Sequence, residues 1–214
     1  MKSRAEDAAI GDGHAKGVFH AILDPRVLQL GAMLFCIYIG VYGFSLSAPV
    51  IVRQVTHLSD AKVGFIIAGF GLSGALGMVL NGMHSDHTGE RYLHVAIPTL
   101  LMAAACVVGG ISVAPVVALP AYAIIFMVVS VTAGPAWVIP SSFLTGKSAA
   151  AGIATINAIA ILGGFVGPYW MGLARDWTGN YQSGLLFLAI PTLAGSGIVL
   201  YMRHQAGHSR IQQE

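Results

Sequence analysis

Charge is what this chain has least of. Of its 214 residues only 9% are Asp, Glu, Lys or Arg, where a water-soluble domain carries about 25%. So little charge excludes a surface that faces water all round, and the solvent for most of the molecule must be lipid. The net charge of +2 excludes an electrostatic grip on nucleic acid. Cysteine is scarce as well: Cys36 and Cys106 both fall inside apolar runs, where they read as small buried hydrophobes rather than a disulfide. No Cys or second carboxylate frames His84, His87 and His94 with metal-ligand spacing, so no metal is expected, and no motif asks for a cofactor.

What the chain has is apolar length. A hydrocarbon core about 30 Å thick needs about 20 apolar residues per helix. Six runs qualify, roughly 27–51, 62–82, 93–113, 116–140, 149–174 and 182–202, and only Lys62, at a helix start, brings a charge into them. The expected fold is all-α and polytopic, with six transmembrane helices. Residues 1–26 read as a disordered or loosely helical tail without the basic-then-apolar pattern of a signal peptide. Residues 203–214 read as a second tail.

Lys and Arg are unevenly divided between the two sides. One receives Lys2, Arg4, Lys16, Arg26, Arg91, Lys147, Arg203 and Arg210, and the other Arg53, Lys62 and Arg175. The excess of basic residues marks the cytoplasmic side, so both termini are expected there.

Two polar stretches share a frame. Residues 74–89 and 164–179 are identical at six of sixteen positions, including Gly82/Gly172, Asp86/Asp176, Thr88/Thr178 and Gly89/Gly179. Three spans separate the copies, an odd number, so the second unit lies upside down relative to the first. Two inverted three-helix repeats are the building logic of many transporters.

Other motifs are weaker. Gly69-Phe70-Gly71-Leu72-Ser73-Gly74 matches G-x-G-x-x-G, but no strand precedes it and close helix packing explains it better. Gly71-Leu72-Ser73-Gly74 resembles the G-x-S-G of rhomboid intramembrane proteases, whose serine needs a histidine inside a later span. No span here carries one in its interior, and no enzyme is expected. Gly163, Gly164, Gly167 and Pro168 combine small residues with a kink and are the expected helix hinge. Asn157 is a mid-span amide that either bonds another helix or contacts substrate. Tyr38 and Tyr42, four apart on one helix face, and Trp137 complete the substrate-path candidates.

Gly82, Asp86, Gly89 and Arg91 resemble the signature loop of the major facilitator superfamily, G-x-x-x-D-R-x-G-R-R, with His87 and Glu90 departing from it. Asp24-Pro25-Arg26-Val27, His84 to Arg91, Leu144-Thr145-Gly146, Ala149 to Ala154 with Asn157, and Gly163 to Tyr169 are similar to the anion:cation symporter family within it. Phe44-Ser45-Leu46-Ser47 departs from a more usual Trp-Leu-Pro stretch. The resemblance implies half of a major facilitator fold, the C-terminal six helices, with residues 1–26 similar to the central loop. It implies an inner-membrane, alternating-access transporter of a small organic anion, proton-coupled when complete. The implied gating residues are Gly82, Asp86, Gly89 and Arg91, with Asp176 and Gly179 in the second copy. The implied partners are the bilayer, the anion, and a separate N-terminal half or a second copy; the alternative is a truncated half that transports nothing alone.

Overall fold

The computed structural model describes residues 21–211; most of the first expected tail lies outside them. Six helices follow one another: α1 Pro25–Thr56, α2 Asp60–Thr88, α3 Leu93–Ile111, α4 Pro115–Ser141, α5 Gly146–Thr178 and α6 Gln182–Ile211. No strand occurs among the described residues. All six helices are long and apolar enough to cross a membrane. The protein is an all-α, multi-pass membrane protein.

Helix ends explain most of the difference from the apolar runs. The Asp24 side chain caps α1 by accepting the Arg26 N–H at 2.8 Å, and Pro25 occupies the first turn, where its missing N–H costs nothing. Backbone that leaves the hydrocarbon core still gains by staying helical, so polar residues extend the apolar stretches. The Gly82–Arg91 stretch is therefore mostly helix, and the chain turns only at Gly89. Likewise α6 runs through residues expected to be tail.

The packing carries the inverted repeat. With α1–α3 as one unit and α4–α6 as the other, α1 corresponds to α4, α2 to α5 and α3 to α6. The pairs α1/α5 and α2/α4 are then equivalent, as are α3/α4 and α1/α6, and all of these are extensive contacts. The self-equivalent pairs α3/α6 and α1/α4 pack too. At the α1/α4 crossing, Phe44 and Tyr122 are fully buried with ring centroids 5.3 Å apart. The Tyr122 hydroxyl donates to the Gly109 carbonyl at 3.3 Å, tying α4 to α3.

Small residues set the closest approaches. A methyl group at Gly163 would overlap the Phe35 carbonyl oxygen, and one at Gly167 the Ile39 carbonyl oxygen. These contacts advance in step, so α1 and α5 run parallel with their backbones touching. The repeat-equivalent Gly77 of α2 lies against α4, where a methyl group would stand 2.7 Å from Val131 Cγ2. In lipid, where apolar burial between helices gains little over lipid contact, such van der Waals approach is a main source of helix association.

Buried hydroxyls are satisfied locally. Thr99, Thr132 and Thr192 donate to the carbonyls of Val95, Val128 and Leu188, four residues back, at 2.7–2.9 Å. Ser196 instead reaches across from α6 to the Ala96 carbonyl of α3 at 3.2 Å.

Burial is unequal in a way that follows the repeat. In their most apolar windows α2 is 17% buried and α5 22%, against 61% for α1. The two equivalent helices thus form the open flanks of the bundle.

The glycine contact predicts an asymmetry between two substitutions on α5. Gly167→Ala should destabilise the protein by roughly 1–3 kcal/mol, the usual cost of overpacking. Gly172→Ala, where nothing lies within 4 Å of the added carbon, should change stability by no more than about 0.5 kcal/mol. Denaturant unfolding in detergent micelles measures both; equal effects would discount the close α1–α5 contact.

Candidate functional site

The helix end at Asp86 brings three of the expected gating residues, Asp86, Gly89 and Arg91, into one turn, with Gly82 further back on α2. Gly89 closes α2 with φ +66°, a left-handed conformation that glycine adopts without strain. Thr88 donates to the His84 carbonyl at 2.9 Å. Asp86 pairs with Nη1 of Arg91, which turns back from beyond the cap. The same Nη1 donates at 3.0 Å to the hydroxyl of Ser85, which in turn donates to the Glu90 carbonyl at 2.9 Å. Ser85 is wholly buried at the hub of the turn.

Glu90, a departure from the signature pattern, is the residue that ties this turn to the rest of the bundle. Its Oε2 accepts the Leu93 N–H at 2.6 Å, satisfying a free donor at the positive end of the α3 dipole. Its Oε1 accepts from Arg203 Nε of α6 at 2.9 Å. Both partners are partly exposed, and such ion pairs contribute about 0–1 kcal/mol each. The pair therefore directs where the end of α6 rests more than it stabilises the fold.

Beside it, His84 Nδ1 and His94 Nε2 are 2.6 Å apart, close enough that a proton must lie between them. His94 Nδ1 is buried without a hydrogen bond, 3.9 Å from Glu90 Oε2. No group of three potential metal ligands occurs among the described residues.

Asn81 was not singled out by the sequence, and its role depends on two prolines. In α3, Pro98 has no N–H to give the His94 carbonyl; in α4, Pro135 has none for the Val131 carbonyl. The one amide nitrogen of Asn81 donates to both, at 3.0 and 2.8 Å. A single side chain on α2 thus satisfies the gaps left in two neighbouring helices and locks them together below the Asp86 turn.

The second copy of the motif is similar in backbone and different in charge. Gly179 closes α5 with φ +77°, and Thr178 donates to the Ala174 carbonyl at 2.7 Å, as Thr88 does to His84. Asp176 is exposed and has no ion-pair partner among the described residues. Arg175 lies over the Tyr181 ring, 5.3 Å from its centroid. At this end a cleft of about 990 Å³ between α1 and α2 is lined by Gln54, His57 and the Arg53–Asp60 ion pair of 2.8 Å.

The substrate-path candidates are only partly brought together. Tyr38 and Tyr42 meet edge to face at 5.3 Å, and Tyr42 packs beside Gly164. Asn157 is exposed, on the same face of α5 as Gly164 but two turns away, about 10 Å along the axis. Its amide makes no hydrogen bond among the described residues. Trp137 stands apart, half-buried on α4. Gly163, Gly167 and Pro168 lie within the unbroken α5, the two glycines pressed against α1. Ser73 bonds back to the Phe70 carbonyl at 2.7 Å, within its own helix.

This geometry defines a class: a polytopic, inverted-repeat bundle with an ion-paired turn at one end and two open helices. No protein-family model matches the chain. Among known proteins it is similar to a putative tartrate transporter of Agrobacterium vitis, 40% identical over 86% of this chain and 41% of that protein. It is similar to a quinolone resistance transporter of Acinetobacter baumannii, 37% identical over 82% of this chain and 41% of that protein. It also resembles the inner membrane transport protein RhmT of Escherichia coli, 33% identical over 86% and 43% respectively. The chain is thus a homologue of major facilitator transporters, and it spans less than half the length of the relatives it matches.

The double bond from Asn81 predicts a rescue. Asn81→Ala leaves two carbonyls unpaired and should cost about 1–3 kcal/mol. Adding Pro135→Ala restores an N–H for the Val131 carbonyl and should recover part of that loss in micelle unfolding. No recovery would separate Asn81 from the proline gaps.

Proposed function

We propose that this chain forms the C-terminal half of an alternating-access transporter for a small organic carboxylate, with the Asp86 end and both termini on the cytoplasmic side of an inner membrane. The observation that carries the proposal is the openness of α2 and α5. They are equivalent by repeat and pack mainly on other helices, and they form the two least buried spans. The unbonded Asn157 amide and the half-exposed Tyr42 lie along the Gly164 face of α5. An amide facing hydrocarbon is costly, so a second six-helix unit across a watered cavity is the fitting environment for it. The relatives' greater length is consistent with such a unit, and the name of the tartrate transporter agrees with a carboxylate cargo.

In this reading the Asp86–Arg91 and Glu90–Arg203 pairs hold the cytoplasmic end in one state and break in the other. Gly82, Gly89, Asp176 and Gly179 shape the two turns, and the Gly163–Pro168 segment lets α5 bend. Alternation needs only a few kcal/mol of differential contact. The interiors of the spans carry no acidic residue, Lys or Arg. Proton coupling of the complete transporter would then draw its charges from the other half. The second reading is a half that transports nothing by itself, and the lack of charge in the spans favours it for the isolated chain.

Reconstitution in liposomes tests both. The chain alone should show no saturable uptake of a panel of organic acids under an inward proton gradient, and co-expression with a matching N-terminal half should bring it. Gradient-driven uptake by the six helices alone would overturn the assignment.

Orientation is tested by exposed cysteines at His87 and Asn180, which should react with impermeant maleimide from opposite faces of the membrane. Reaction of both from one face would sink the inverted topology.

A further inference from the structure

A cleft of about 790 Å³ opens where the α2–α3 turn, the last turns of α4 and the end of α6 meet. Its polar lining includes Arg91, which is paired with Asp86, then Arg203, His204 and His208, with Glu90 the only carboxylate among the described lining residues. That carboxylate is already engaged at both oxygens, by Arg203 Nε and by the Leu93 N–H. Arg203 spends Nε on this contact, so its two terminal nitrogens have no protein partner among the described residues. His204 and His208, one turn apart on α6, bring their Nε2 atoms to 3.0 Å, close enough to share a proton between the rings. The opposite wall carries Val138 and Ile139 of α4, with Ser142 donating its hydroxyl back to the Ile139 carbonyl at 2.7 Å.

This combination sits at the ends of the helices, and Arg203, His204 and His208 follow directly on the apolar run 182–202, as residues at a membrane interface do. Guanidinium forks match a phosphate, which offers several acceptor oxygens in a compact group. Val138 and Ile139 beside them suit the first methylenes of an acyl chain. We propose that this cleft is a binding site for an anionic phospholipid, with its phosphodiester held by Arg203, His204 and His208 and its glycerol and acyl chains lying against Val138. A phospholipid seated there would bear on the Glu90–Arg203 contact and so on the position of the α6 end.

Native mass spectrometry of the full chain in detergent provides the test, with dioctanoyl-phosphatidylglycerol and dioctanoyl-phosphatidylcholine offered in equal amounts and inorganic phosphate as competitor. The phosphatidylglycerol adduct should dominate and persist in millimolar phosphate. His204→Asn with His208→Asn, which leaves the Glu90–Arg203 pair intact, should weaken it, and Arg203→Gln should weaken it about fivefold, the change expected for one basic group near an anionic head group. Equal retention of the two lipids, or an adduct indifferent to both variants, would overturn the proposal. Displacement by inorganic phosphate would also overturn it, by making this a site for a free anion.

Discussion

Every backbone N–H and C=O that enters hydrocarbon must find a partner inside the protein, because lipid offers none. That constraint makes the six spans helical, and it also governs their exceptions. Five of the six helices contain proline in their interior. Each such proline withholds a donor from the carbonyl four residues before it. Two of these gaps face each other across α3 and α4, and the Asn81 amide of α2 fills both. Buried threonines turn their hydroxyls onto their own helices for the same reason. Polar chemistry inside the bundle is therefore mostly structural, and the charged chemistry is displaced to the helix ends.

At those ends the duplicated Asp-x-Thr-Gly motif shows how one local solution was kept and its electrostatics changed. Threonine back-bonding and a left-handed glycine stop both α2 and α5. Only the first copy is wired outward, through Arg91 to Asp86 and through Glu90 to Arg203. The individual pairs are partly exposed and therefore weak.

The glycine-mediated contacts work in the opposite sense. Where α5 meets α1 through Gly163 and Gly167, and α2 meets α4 through Gly77, backbones and side chains approach too closely for sliding without repacking. These two pairs form firm parallel units, leaving the outer faces of α2 and α5 open. The Gly163–Pro168 segment is thus a packing surface within an unbroken helix, a close approach that only glycine permits.

The sequence by itself determined the solvent, the six spans and the inverted duplication. Lack of charge, run length and the spacing of Gly82 to Gly89 against Gly172 to Gly179 are local or periodic properties, legible without coordinates. It also marked Asp86 and Arg91, which lie five residues apart. The roles of Asn81, Glu90 and Arg203 came only from the tertiary structure. Asn81 reads as one amide near a span end until Pro98 and Pro135 are folded around it. Glu90 reads as a departure from a motif until Arg203, 113 residues later, is brought to its carboxylate. Helix ends differ from the ends of the apolar runs for a related reason: hydropathy marks where lipid ends, whereas capping by Asp24 and Gly89 decides where a helix does. Tertiary packing also decided that Gly163 and Gly167 touch α1 while Asn157 faces outward, because which side of an apolar helix is covered depends on its neighbours and not on its own sequence.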